Sequence, residues 1–357
     1  MGFLSSLFGG NKKEINIETS VKSPVEQLDD VPGKKVSSQI QDLVMLSFAE
    51  SFKVGEKQYP QYLRNKYGIG FPKENLMRLE SEGYIRPTSS KESLSHLKVT
   101  ELKDIASSMG LKVSGKKEEL CQRISDNSTE EDLARYVNVR YWIKTGKGED
   151  LLHKNSYISY YTEDHPYSLE AIGLDINSFG KLFSGNKSGR VRDMVWGEFN
   201  RLSMKYYKEG MSTGNFGLYC DLLRTMALFL EEEKRYKDAL AMYTRFLYYR
   251  TNFEASFNAI TVYKYSKKVN DAAERLFMGS EIYPFIADEI SRMSNGCDFN
   301  SKDLHQFMKS VFEKEQDTGI FVPDELAELV MCGMNADKEG QEKICRKAMK
   351  ASVPKIR

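Results

Sequence analysis

The sequence predicts a mainly α-helical protein made of several units. Apolar residues recur at helical spacing in successive segments, first at Ile40, Leu43, Val44 and Phe48, then at Leu102, Ile105, Ala106 and Met109. A length of 357 residues exceeds the usual size of one domain. The best strand signal is one short alternation, in which Val139, Tyr141 and Ile143 interleave with Arg140, Trp142 and Lys144.

Composition narrows the function classes. Lys plus Arg number 52 against 51 Asp plus Glu, so any contact with nucleic acid must come from a local patch rather than from overall basicity. The five cysteines, Cys121, Cys220, Cys297, Cys332 and Cys345, form no C-x-x-C pair, which excludes a zinc ribbon and predicts a reducing compartment. Apolar runs such as "MALFL" fall far short of the roughly 20 residues of a membrane span. The expectation is a soluble cytoplasmic protein, associated with the nucleoid, or a nuclear one in a eukaryote. "MGFLSSLFGG" fits the loose N-myristoylation pattern through Gly2 and Ser6 but lacks the basic region of a secretion signal. A frayed tail is the plainer reading of it.

Five segments follow in order. Residues 1–38 are polar and mixed in charge, with Pro24, Pro32 and Gly33 and no apolar period, and read as a disordered tail. Residues 39–92 read as a small helical unit, with Pro72 at a helix start and Gly83 at a helix end. Its close, helix then "EGYI", resembles a winged-helix or helix-turn-helix unit. Residues 93–126 hold the clearest pair of short helices. Residues 127–210 read as a mixed helical region, restarting a helix after Asn127 or Ser128. There "TGKG" supplies turn residues, and the 139–144 strand has "SYISYY" at 156–161 as its expected ribbon partner.

Residues 211–357 turn strongly helical. Leu223, Met226, Ala227 and Leu230, followed by Tyr236, Ala239 and Tyr243, resemble a tetratricopeptide-type repeat, with small residues at the close helix crossings and Phe246 departing from that pattern. A second copy places Ala272 33 residues after Ala239. Two such copies predict a compact helical array that supports the protein or binds a protein partner.

The stretch "LKVTELKDIASSMGLKVSGKKEELCQRI" carries the functional signal. Leu102, Ile105, Ala106 and Met109 form one buried helix face, and Gly110 ends that helix. Ser114 is the expected cap of a second helix whose Leu120, Cys121 and Ile124 face the first. Lys103, Lys112, Lys116, Lys117 and Arg123 are left outside the small core. Free N–H groups and the helix dipole near Ser114 favour an anion, and Gly115 leaves room for its close approach.

Leu97, Val99, Leu102, Lys103, Gly110, Leu111, Ser114, Gly115, Lys116, Lys117, Leu120, Arg123 and Ile124 together resemble the SAP domain. This helix-hairpin module occurs in chromatin-associated and DNA-repair proteins and in bacterial and phage proteins. The resemblance implies contact with double-stranded DNA, chiefly through backbone phosphates and with a leaning toward AT-rich sequence. The DNA-binding residues it implies are Lys103, Lys112, Ser114, Gly115, Lys116, Lys117 and Arg123. No Asn or Gln flanks the Gly-Lys-Lys corner to read a base edge, so sequence specificity should be poor. Neutralising about three phosphates gives a log-affinity against log-salt slope of roughly −2.7, which is weak binding for one contact.

Other signals carry less. "GKLFSGNKS" at 180–188 misses the P-loop register by one residue and reads as a basic surface loop, with Arg190 and Arg192 as secondary DNA contacts. "YTRFLYYRTNF" interleaves aromatics with arginines, but Tyr243, Phe246 and Tyr249 share a helical face and read as repeat packing. Histidines 96, 153, 165 and 305 supply no metal-ligand pair, and no nucleophile elbow or dinucleotide loop occurs. The expectation is a non-enzymatic DNA-binding adaptor with no catalytic residues, metal or cofactor. The rival readings are a protein-interaction scaffold that never touches DNA, and a DNA-processing enzyme.

Overall fold

A computed structural model describes residues 36–185, 189–315 and 319–356. The tail up to residue 35, with Gly2, and residues 186–188 of the expected basic loop lie outside the described residues. The described chain is mainly helical, as the sequence predicts, with two short strands.

The first unit is built from α1 (Ser38–Phe48), α2 (Gln61–Tyr67) and α3 (Pro72–Ser81). The Ser37 side chain caps α1, which buries Ile40, Leu43, Val44, Met45 and Leu46. Gly68, at φ +66°, lets the chain leave α2, and Pro72 opens α3. Strand β1 (Ile85–Pro87) follows the turn at Gly83.

The partner of β1 is β2 (Trp142–Lys144), in antiparallel register with Ile85 opposite Lys144 and Pro87 opposite Trp142. On the other side of β2, Lys53 bridges Tyr141, and the Val54 N–H donates to the Arg140 carbonyl at 2.8 Å. The strand β2 thus lies between 52–54 and β1. Residues 88–141 run from β1 to β2 and hold α4 (Ser90–Ser93), α5 (Val99–Ser108), α6 (Lys117–Asp126) and α7 (Glu130–Leu133).

The expected ribbon partner at 156–161 is corrected. Residues 156–158 form a 3₁₀ turn that runs into α9 (Ser159–Thr162), because Tyr157, Ile158 and Tyr161 fall at helical spacing and all three are buried. The "TGKG" turn is corrected too. Thr145 is the N-cap of α8 (Gly146–Lys154), its Oγ1 accepting from the Gly148 N–H at 3.2 Å. The 180–185 part of the expected loop lies in α10 (Ile176–Gly185), with Phe179 and Gly180 buried. Arg192, in α11 (Val191–Thr213), forks onto Glu233 with two bonds of 2.6 Å rather than standing free for a phosphate.

Beyond α11 the chain forms antiparallel helix pairs. They are α12 (Gly217–Glu232) with α13 (Tyr236–Tyr249), then α14 (Ser256–Ser266) with α15 (Val269–Ser280), after a π-turn at Arg250–Ala255. Next come α16 (Pro284–Asn295), α17 (Ser301–Phe312), α18 (Pro323–Met334) and α19 (Lys338–Ile356). Ala227, Ala239 and Ala272 are fully buried, as close helix crossings require, and α15 also packs on α19. Tyr243, Phe246 and Tyr249 are buried in this array.

The apolar interior divides in two. A large core runs from Val36 through the array to Met349, and a small one gathers Leu94, Leu102, Ile105, Ala106, Leu120, Ile124, Leu133 and Val137. Leu133 and Val137 carry the small core past the polar break at 127–129.

Candidate nucleic-acid interface

Helices α5 and α6 bury Leu102, Ile105 and Ala106 against Leu120 and Ile124. Gly110, at φ +68°, closes α5, and the Leu111 N–H returns to the Ala106 carbonyl at 2.8 Å. Leu111 packs on the small core, and residues 112–116 beyond it are exposed.

The expected cap at Ser114 is corrected, since the N-cap of α6 is Lys116. Its N–H donates to Glu119 Oε2 at 3.2 Å, so the side chain three residues on replaces the hydroxyl as anchor. Ser114 contributes its carbonyl instead. Arg123 Nη1 donates to that carbonyl at 3.0 Å and to the Lys112 carbonyl at 2.6 Å, which ties the turn to the next turn of α6. Gly115 sits at φ +134°, and a Cβ there would stand 2.5 Å from Glu119 Oε2. The glycine is therefore required by its own backbone conformation, before any ligand arrives.

The seven residues expected from sequence divide by role. Lys103 on α5, and Lys112, Ser114, Gly115 and Lys116 on the turn, are exposed. Val113, 42% exposed, adds an apolar tip beside them. Arg123 is half-buried and braces the turn. Lys117 is half-buried and lines a groove of about 590 Å³ with Lys91, Ser95, His96, Cys121 and Gln122. Thus three exposed lysines, with one more at the groove edge, remain to meet phosphates.

Sequence reasoning missed the groove and its seam. The His96 ring stacks on Tyr141 with centroids 4.1 Å apart, joining the inserted module to the ribbon. Burial holds the His96 imidazole below its usual pKa, and the nearby Lys117 adds to the effect. Glu130 caps α4 by accepting from the Ser90 and Lys91 N–H groups at 2.7 and 3.2 Å. Arg86 of the ribbon forks onto Glu92 at 2.6 and 2.8 Å. The His96 and Glu130 contacts link residues some forty positions apart in sequence, and no local pattern announces them.

Base reading has little support at this corner, since Gln122 Nε2 is engaged by Asp126 at 2.7 Å. Helix α3 adds no basic face either. Arg78 binds Asp42, which Asn75 also holds at 2.8 Å, and the remaining exposed positions mix Lys73 with Glu74, Met77 and Glu80. Among the described residues no group of three His, Cys, Asp or Glu side chains is placed to hold a metal. His165 pairs with Glu232 at 2.9 Å and stacks on Tyr167.

Residues 93–126 match the family model for the SAP domain. No curated protein and no solved structure matches the chain. No helix among the described residues is long and apolar enough to cross a membrane. The family match covers about a tenth of the chain and falls on the hairpin of the small core, so residues 93–126 are a SAP domain, a generally DNA-binding module.

Proposed function

We propose that the chain is a non-enzymatic DNA-binding adaptor. Its SAP hairpin docks on the backbone of double-stranded DNA, and its C-terminal helical array, tetratricopeptide-like in its paired helices, recruits a protein partner. The work is done inside the cell, on the nucleoid or in a nucleus. The observation that carries this reading is the exposure of Lys103, Lys112 and Lys116 around a turn in a segment matching the SAP family.

Phosphate contact follows from the chemistry of the turn. Lysines are point charges that satisfy a phosphate from many directions, so they position a duplex without reading it. Exposed backbone N–H groups at the start of α6 add donors, although Glu119 occupies one of them. Affinity of this kind falls steeply with salt.

The test is binding of the full chain to an AT-rich duplex, followed by fluorescence anisotropy across salt concentrations. Lys116→Glu combined with Lys117→Glu is expected to lower affinity at least tenfold at low salt. Unchanged binding by that double variant would refute docking through the hairpin, and no binding by the wild type would favour a scaffold that does not touch DNA. Cleavage of the duplex in Mg²⁺ or Mn²⁺ would refute the non-enzymatic part.

A further inference from the structure

Helix α19 presents two unlike faces. Gln341, Cys345, Ala348 and Met349 are buried against the array, where α15 and α18 receive them. On the outer side Lys343, Arg346, Lys347 and Lys350 fall at i, i+3, i+4 and i+7, one stripe of the helix, and all four are exposed. They line a shallow surface groove of about 810 Å³, with Glu339 and Glu342 at its N-terminal end and Ala351 at the other.

Elsewhere in the array four arginines are matched to carboxylates, while Arg250 donates to the Glu281 carbonyl and Arg275 makes no ion pair among the described residues. Arg224 forks onto Glu289, Arg235 onto Asp238, Arg245 binds Glu315 and Arg292 binds Glu231. On the stripe Lys347 reaches Glu325 at 2.9 Å, while Lys343, Arg346 and Lys350 make no ion pair among the described residues. Like charges three and four residues apart repel along a helix, and Glu339 and Glu342, each four residues before Lys343 and Arg346, offset part of that repulsion. The helix dipole does not account for the stripe, since that field acts within the last turn and Lys343 and Arg346 lie farther back.

We infer that this stripe is a second backbone contact for duplex DNA. It rests on the proposed function and supplies the additional contact that one weak hairpin needs. Its four cations span about 10 Å along the helix axis at 1.5 Å per residue. Successive phosphates of one strand advance about 3.4 Å along the duplex, so the stripe covers about three of them. Three lysines and one arginine on a regular helix, without an aromatic or amide side chain among them, suit phosphate rather than base recognition. The stripe belongs to the large core and the hairpin to the small one, which makes the two contacts separable by mutation.

The experiment compares salt dependence of duplex binding for three full-length proteins: wild type, Lys343→Gln/Arg346→Gln/Lys347→Gln/Lys350→Gln, and Lys103→Gln/Lys112→Gln/Lys116→Gln. Circular dichroism checks that helicity is kept. The stripe variant is expected to lose about 2.7 from the magnitude of the log-affinity against log-salt slope, at about 0.9 for each of about three phosphates. A wild-type slope in the stripe variant overturns the inference, as does loss of binding to polyglutamate with duplex binding intact, which marks an acidic-protein surface. If the hairpin variant keeps the wild-type slope while the stripe variant loses it, the stripe stands and the hairpin reading falls.

Discussion

The Lys116 N–H and the Glu119 carboxylate meet at 3.2 Å across the first turn of α6, so this helix start carries an anion of its own where a phosphate is expected to dock. A duplex must share or displace that carboxylate. Glu119→Gln keeps the reach-back hydrogen bond and removes the charge. Duplex affinity should rise about two- to fivefold, because one charge at a helix N-terminus is worth about 0.3–1 kcal/mol. Anisotropy at low salt measures it, and an unchanged or lower affinity would place the phosphate elsewhere.

Arg123 braces the turn through the Lys112 and Ser114 carbonyls. Arg123→Gln should therefore destabilise the module by about 1.5–3 kcal/mol, the scale of hydrogen bonds that involve a charged group. The salt slope should stay as in wild type, since this guanidinium neutralises carbonyl dipoles rather than a phosphate. A slope reduced by about 1 with unaltered melting would make Arg123 a phosphate contact instead.

The hairpin was legible from sequence because its signals are local. Apolar spacing in α5 and α6, Gly110 at φ +68° and the lysines of the turn lie within one short stretch. Its cap was not, because a serine is a common cap, and nothing local shows that Glu119 and Arg123 shift the start to Lys116. The ribbon was legible as a strand but not as a pair. Ile85 and Lys144 face each other across the whole inserted module, while the nearby Tyr157, Ile158 and Tyr161 combine strand-forming residue types with a helical period. The cations of the α19 stripe stand at i, i+3, i+4 and i+7 in "KICRKAMK", but only the packing of Cys345, Ala348 and Met349 on the array shows which face of that helix is left outside.

The His96–Tyr141 stack makes the seam between module and ribbon sensitive to pH. His96 has its pKa depressed in the folded state, by burial and by Lys117, with Glu50 opposing. A depressed histidine favours the fold while neutral, so its contribution is present above the unfolded value near 6.5 and is lost as pH falls through the lower folded value. Thermal melts should show the seam weakening from about pH 6.5 downward. His96→Phe keeps a stacking ring and should flatten that dependence, whereas an identical pH profile in the variant would assign it to other groups.

The small core predicts a local response to a cavity. Leu120 is fully buried among eight buried residues. Leu120→Ala should cost about 2–5 kcal/mol, enough to unfold a module with so little interior. Hydrogen exchange should then lose protection over 94–137 while the array around Leu223 and Ala239 keeps it. Loss of protection throughout would show that the two cores fold as one.

The claim that DNA docks on the hairpin is tested most directly by amide NMR of the full chain titrated with a short AT-rich duplex. The account predicts shifts concentrated at residues 111–119 and around Lys103, fading as salt is raised. Unmoved amides across that stretch, with saturable binding elsewhere or none, would contradict it.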